Sequence, residues 1–158
     1  MSSISLRINK EYARLKKKPM EFVKFEMDES NIYNWKFTIS GLNSTYYKGG
    51  IYSGIIDFPK EYPLKPPVIK FTSKLFHPNV YMDGKICISI LHEGTDDTGY
   101  ENDEERWSPI QNIQTIFLSI ISLLDDPNDE SPANIDAAKL WRDNKQAYAK
   151  RIKDEMNC

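Results

Sequence analysis

Cysteine and histidine are scarce in this chain, with two of each in 158 residues. Cys87 lies near the middle and Cys158 at the last position, which is no disulfide framework and suits a reducing compartment. His77 and His92 are too few to complete a four-ligand zinc site without carboxylates at unsuitable spacing, so no metal is expected. No apolar run approaches the ~20 residues that span a bilayer, and Met1-Ser2-Ser3-Ile4-Ser5 lacks the basic patch and apolar run of a secretory leader. The expectation is a cytoplasmic or nuclear protein with no direct membrane insertion, reaching a membrane only through a partner. No aromatic stacking face accompanies the basic residues and the net charge is -2, so no nucleic-acid partner is expected either.

What is present is unevenly distributed. Glu93, Asp96, Asp97, Glu101, Asp103, Glu104 and Glu105 follow one another with no base among them. Setting these seven aside leaves 16 of the 23 acids against 21 bases, so the rest of the chain is basic. Acids so crowded repel one another, which predicts an extended, solvated loop over about 93–105. The remaining length suffices for one domain, 1–158, with its own apolar core.

Ile4, Ile8, Tyr12 and Leu15 recur at helical spacing, with Arg7, Lys10, Arg14, Lys16, Lys17 and Lys18 on the other faces, and Pro19 ends the pattern. From Phe22 the period becomes two. Val23, Phe25 and Met27, then Tyr33, Trp35, Phe37 and Ile39, then Tyr52, Gly54, Ile56 and Phe58, then Val68-Ile69-Lys70-Phe71, predict four strands in an antiparallel meander, with Trp35 and Phe37 in the core. Ser108-Pro109-Ile110-Gln111 has the pattern of a capping box with proline at the first helical position. It predicts a helix that buries Ile113, Ile116, Phe117, Ile120 and Leu124 across the sheet and stops at Asp125-Asp126-Pro127-Asn128. Two more helices are expected over about Ile135 to Trp141 and Lys145 to Met156, the second with Asp143 and Gln146 at capping-box spacing. The fold class is therefore α+β: an N-terminal helix, a four-stranded antiparallel meander and three further helices.

The most specialised stretch is His77-Pro78-Asn79-Val80-Tyr81-Met82-Asp83-Gly84-Lys85-Ile86-Cys87. By its neighbours Ile86 and Ile88 alone, Cys87 reads as a small buried apolar side chain. The Asp83-Gly84 turn and the proline-locked His77-Pro78-Asn79 favour a displayed thiol instead, since rigid loops commonly carry reactive groups. A protease-like pairing with His77 is open in principle, but no glycine-rich oxyanion loop or nucleophile signature surrounds Cys87.

Tyr62-Pro63-x-Lys65-Pro66-Pro67, His77-Pro78-Asn79, Gly84-x-Ile86-Cys87, Trp107-Ser108-Pro109 and Pro127-Asn128, in that order, resemble the catalytic domain of ubiquitin-conjugating enzymes from about Ile4 to Met156. The Cys87 to His92 segment, the acidic run to Arg106-Trp107, and Pro127 to Asn134 are similar to the subgroup with an insertion after its catalytic cysteine. That subgroup includes chain-building enzymes of endoplasmic-reticulum-associated degradation. The resemblance implies that Cys87 takes ubiquitin from the activating enzyme as a thioester and passes it to a lysine amine, building degradative chains with a RING-type ligase. It implies no bound cofactor, ATP being used by the upstream enzyme, and recruitment to the cytosolic face of the endoplasmic reticulum by a partner.

Under the same resemblance Asn79 stabilises the oxyanion or holds the site loop, and His77 shapes that loop. His92, Asp96, Asp97, Tyr100, Glu130 and Ser131 orient the acceptor or gate the site. Acids beside an acceptor lysine would raise its pKa, so the acidic run orients or covers rather than activates by charge. Ser131 lies where many relatives carry an acid, and only phosphorylation would restore that charge. Arg7, Lys10, Leu64, Ser108, Pro109 and Ile110 are the expected docking points for ligase or activating enzyme. Departures from the family pattern fall at Gly41-Leu42 and Thr45-Tyr46-Tyr47, away from the cysteine, where an effect on stability or on the ubiquitin-facing surface is expected.

Overall fold

The computed structural model describes residues 2–94 and 102–156. Helix α1 (Ser3–Lys17) leads into strands β1 (Val23–Asp28), β2 (Asn31–Ile39), β3 (Tyr52–Asp57) and β4 (Val68–Phe71), followed by α2 (Ile113–Asp125), α3 (Ile135–Asp143) and α4 (Lys145–Met156). The strands form one antiparallel sheet in the order β1-β2-β3-β4, as the period-two pattern predicts. Register pairs Phe25 with Phe37, Trp35 with Ile56 and Ile56 with Ile69, so the alternating apolar residues share one face.

That face is covered by α2. Phe117 packs edge-on against Phe25 and Phe37, with ring centroids 5.0 and 4.9 Å away. Gly54 lies between Phe37 and Phe71 in the cross-strand row, and a Cβ there would come within 2.3 Å of the Phe37 ring and 2.4 Å of the Lys70 carbonyl. The glycine makes room for the Phe37–Phe71 ring pair, whose centroids are 5.3 Å apart. Ile113, Ile116, Phe117, Ile120 and Leu124 are all buried along α2, the stripe the sequence predicts.

Two helix starts are corrected. Ser108-Pro109-Ile110-Gln111 does not open α2; it forms a turn closed by Gln111 N–H donating to the Ser108 carbonyl at 3.0 Å. The helix begins further on, at Ile113, where Asn112 Oδ1 accepts from Thr115 N–H and Thr115 Oγ1 accepts from Asn112 N–H, both at 2.9 Å. This box satisfies the same orphan donors, with threonine in the role of the glutamine the pattern sought. At α4 the cap is Asn144 rather than Asp143, its Oδ1 accepting from Ala147 N–H at 3.1 Å. The acidic run also differs from expectation at its end, since Asp103–Glu105 winds into a single 3-10 turn.

The loop between β2 and β3, where the family pattern is broken, is tied inward. Ser44 Oγ and Thr45 N–H donate to the Asp125 carboxylate at the end of α2, at 2.6 and 3.2 Å. Tyr47, fully buried, donates its hydroxyl to the Phe76 carbonyl and meets the Tyr148 hydroxyl of α4, each at 2.6 Å. Among the described residues no helix is long and apolar enough to cross a membrane.

Candidate functional site

The site is built on the edge of β4. Phe71 N–H donates to the Gly84 carbonyl at 2.8 Å, and Gly84 has a φ of +95°, with space for a Cβ foreclosed by the Phe71 carbonyl at 2.0 Å. Only glycine can turn the chain there. The turn brings Val80 opposite Ile86 and leaves Cys87 N–H donating to the Asn79 carbonyl at 2.7 Å. Cys87 is half-buried and is the only cysteine among the described residues.

His77 is 1% exposed and serves as a structural pin. Its Nδ1 accepts from Asn79 N–H at 3.0 Å, so the ring proton resides on Nε2, which donates to the Leu123 carbonyl of α2 at 2.8 Å. Burial pushes its pKa down to about 4, against partial relief from the Leu123 carbonyl and the Asp125 charge. A neutral ring with both nitrogens engaged cannot serve as the base for Cys87.

Asn79 is 2% exposed and its carboxamide is paired across the chain: Nδ2 donates to the Asn128 carbonyl at 2.6 Å and Oδ1 accepts from Asn128 N–H at 2.9 Å. Pro78 adds a second bolt, its carbonyl accepting from Ala133 and Asn134 N–H at 2.8 and 3.0 Å. The segment 126–134 is thereby joined to the cysteine loop. On it, Asn128 Oδ1 accepts from Glu130 N–H at 3.1 Å, and the Glu130 and Ser131 side chains face solvent.

His92, rather than His77, is brought to the thiol, with Nε2 3.7 Å from Cys87 Sγ. A single 3-10 turn, Ser89–Leu91, folds it back, closed by His92 N–H donating to the Ser89 carbonyl at 2.9 Å. The far end of the acidic run returns to the same place: Trp107 N–H donates to the His92 carbonyl at 2.9 Å, and Arg106 reaches the Glu93 and Gly94 carbonyls at 2.6 and 2.9 Å. Asp96, Asp97 and Tyr100 lie outside the described residues.

The loops that carry Leu64 and Ile110, two of the expected docking residues, are joined by Trp107 Nε1–H donating to the Pro63 carbonyl at 2.9 Å. Leu64 and Ile110 are 76% and 84% exposed; Pro109 and Lys10 are exposed as well, and Ser108 is half-buried. Arg7 is turned inward instead, donating to the Pro109 and Gln111 carbonyls at 2.9 and 2.8 Å. The sequence reading missed Glu11, which is buried beside it. Its signal was available: Glu11 falls between Ile8 and Leu15 on the helix stripe, where an acid has no reason to be unless something inside binds it.

The family model described as "Ubiquitin-conjugating enzyme" matches residues 7–156. "Ubiquitin-conjugating enzyme E2 14" of Arabidopsis thaliana is 49% identical over 150 residues, covering 94% of this chain and 90% of the relative. "Probable ubiquitin-conjugating enzyme E2 7" of Caenorhabditis elegans is 46% identical over 154 residues, covering 96% and 94%. "Ubiquitin-conjugating enzyme E2 G2" of Homo sapiens is 46% identical over 149 residues, covering 93% and 90%.

Proposed function

The chain belongs to the ubiquitin-conjugating enzyme family, and from that premise we propose that Cys87 is its thioester carrier. As a transferase of this family it works between ubiquitin, an activating enzyme and a ligase. The observation that carries the Cys87 assignment is the half-buried thiol on a loop pinned from three sides, with an imidazole 3.7 Å from its sulfur.

In the first step the Cys87 thiolate attacks the ubiquitin–activating-enzyme thioester; a new C–S bond forms and the activating enzyme's thiol leaves. In the second, a neutral lysine amine attacks the same carbonyl, C–N forms, C–S breaks, the amine loses a proton and Cys87 departs as thiolate. A thioester is already activated, so placement matters more than nucleophile chemistry. Asn79 holds the 126–134 segment to the site loop through its two bonds to Asn128, which support the loop-stabilising role, and the second Nδ2 proton remains as a donor for the oxyanion. His77 keeps the loop's shape, and His92 meets the sulfur that must accept and release the acyl group. Mixing the protein with ubiquitin, activating enzyme and ATP is expected to give an adduct that reductant cleaves. An adduct that persists in Cys87→Ala, or none in the parent, would overturn the assignment.

The acidic run after the cysteine supports the finer reading: the enzyme builds degradative polyubiquitin chains with a RING-type ligase, in endoplasmic-reticulum-associated degradation. Here Asp96, Asp97, Tyr100 and Glu130 orient the incoming ubiquitin, and the protein works in the cytoplasm or nucleus, drawn to the endoplasmic reticulum by a partner. The whole chain acts as one catalytic domain with no cofactor of its own, ATP being spent upstream. Ser131, solvent-facing beside Glu130, gates the acceptor when phosphorylated. Ser131→Asp is expected to change the rate of thioester discharge to lysine relative to the parent and Ser131→Ala; three equal rates would end that idea.

A further inference from the structure

Glu11 is the only buried carboxylate among the described residues, 7% exposed on the inner stripe of α1. Its Oε1 accepts from Ile113 N–H, the first amide of α2, at 2.9 Å, where the helix dipole favours a negative charge. Its Oε2 accepts from the Tyr62 hydroxyl and from Arg7 Nε, the latter at 3.2 Å. Arg7, fixed by this contact, spends its other two nitrogens on the Pro109 and Gln111 carbonyls at 2.9 and 2.8 Å. The guanidinium carbon also lies 5.4 Å from the Tyr62 ring centroid. Trp107 closes the circle, its Nε1–H donating to the Pro63 carbonyl at 2.9 Å.

Two irregular loops thus end on one ion pair. The loop 61–65 carries Leu64 and the loop 107–112 carries Ile110, each more than three-quarters exposed at 76% and 84%. The clasp joins both to α1. A planar guanidinium is well suited to such a clasp, because its nitrogens reach three acceptors in fixed directions, which an ammonium on a flexible stem does not reproduce.

We propose that Arg7 and Glu11 are positioning residues that set the spacing of Leu64 and Ile110 for a ligase, rather than points at which a partner is touched. The inference rests on reading the Leu64–Ile110 surface as the ligase-docking face. It assigns a role to a buried acid that the thioester chemistry does not use. Removing one member of this partly buried pair outright leaves the other charge without its partner and endangers the fold. The informative variants are therefore conservative. Glu11→Gln keeps an oxygen for Ile113 N–H while losing the charge that holds Arg7, and Arg7→Lys keeps the charge while losing the fork.

The probe is a purified RING domain, chosen because it accelerates discharge of the parent's ubiquitin thioester to free lysine. Discharge is followed against RING concentration, alongside hydrogen exchange of the amides in 61–65 and 107–112. Both variants are expected to raise the half-maximal RING concentration about tenfold, as when a preorganised surface must instead be ordered on binding. The rate without ligase and the rate at saturation stay at the parent values, and both loops exchange faster. Leu64→Ala is expected to raise the half-maximal concentration with the loops' exchange unchanged. If Leu64→Ala acts but the clasp variants leave the half-maximal concentration unmoved, or slow ligase-free discharge in parallel, the positioning role is wrong. If Leu64→Ala has no effect, or no RING domain accelerates a thioester that does form, the docking reading fails and the inference falls with it.

Discussion

His77 shows how one residue's environment fixes its chemistry. Its pKa is about 4 when folded, because burial penalises the charged ring, against about 6.5 when unfolded. As pH falls, the unfolded chain takes up the proton first. The stability that the neutral ring contributes is therefore fully present above pH ~6.5 and is lost progressively down to pH ~4, on the order of 3 kcal/mol in all. Urea denaturation across that window is expected to show the parent losing stability toward acid. His77→Asn, whose side-chain oxygen can still accept from Asn79 N–H, is expected to be less stable at neutral pH and flatter over the same range. A variant with the parent's slope would remove His77 as the source. The thiol's own neighbour, His92, is half-buried instead, with Nε2 3.7 Å from the sulfur.

Among the elements, α2 does most to join the two halves of the molecule. Its apolar stripe lies on the sheet, its first amide is capped by Glu11 from α1, and its last turn offers the Leu123 carbonyl to His77. Asn112 and Thr115 close its first turn. Asn112→Ala is expected to destabilise the protein by about 1 kcal/mol, the usual worth of such a cap, whereas Ser108→Ala is expected to cost less than about 0.5 kcal/mol. Thermal or urea unfolding of the two variants distinguishes them, and equal losses would restore Ser108 as the helix start. Serine followed by proline resembles a helix start because it suits the backbone of any tight turn. Arg7 holds the Pro109 and Gln111 carbonyls to α1, and the helix waits for the next side chain able to cap it.

Across the whole molecule, the sheet and the helix stripes were legible because each is half-buried: one face meets the core, and burial writes its period into the sequence. The rigid turns around Cys87 were legible as a loop, and the chain's belonging to a conjugating family was legible from motifs in fixed order. What escaped was contact between distant segments. Asn79 finds Asn128, 49 positions away, and Glu11 finds Ile113, 102 positions away; a helix stripe says that a residue is buried, not which distant residue it meets. The choice between His77 and His92 as the thiol's neighbour likewise depends on which ring the turn after Cys87 folds back, a matter of three-dimensional closure.

The clamp that joins residues 92–94 to Arg106 and Trp107 bears on how such a chain can change over generations. Because the two ends are fixed to each other, the length of sequence between them is set apart from the geometry around the sulfur. Doubling the joining chain would raise the cost of closure by only about 0.6 kcal/mol. Changes in its length or charge are therefore expected to leave the shape of the Cys87 loop as it is.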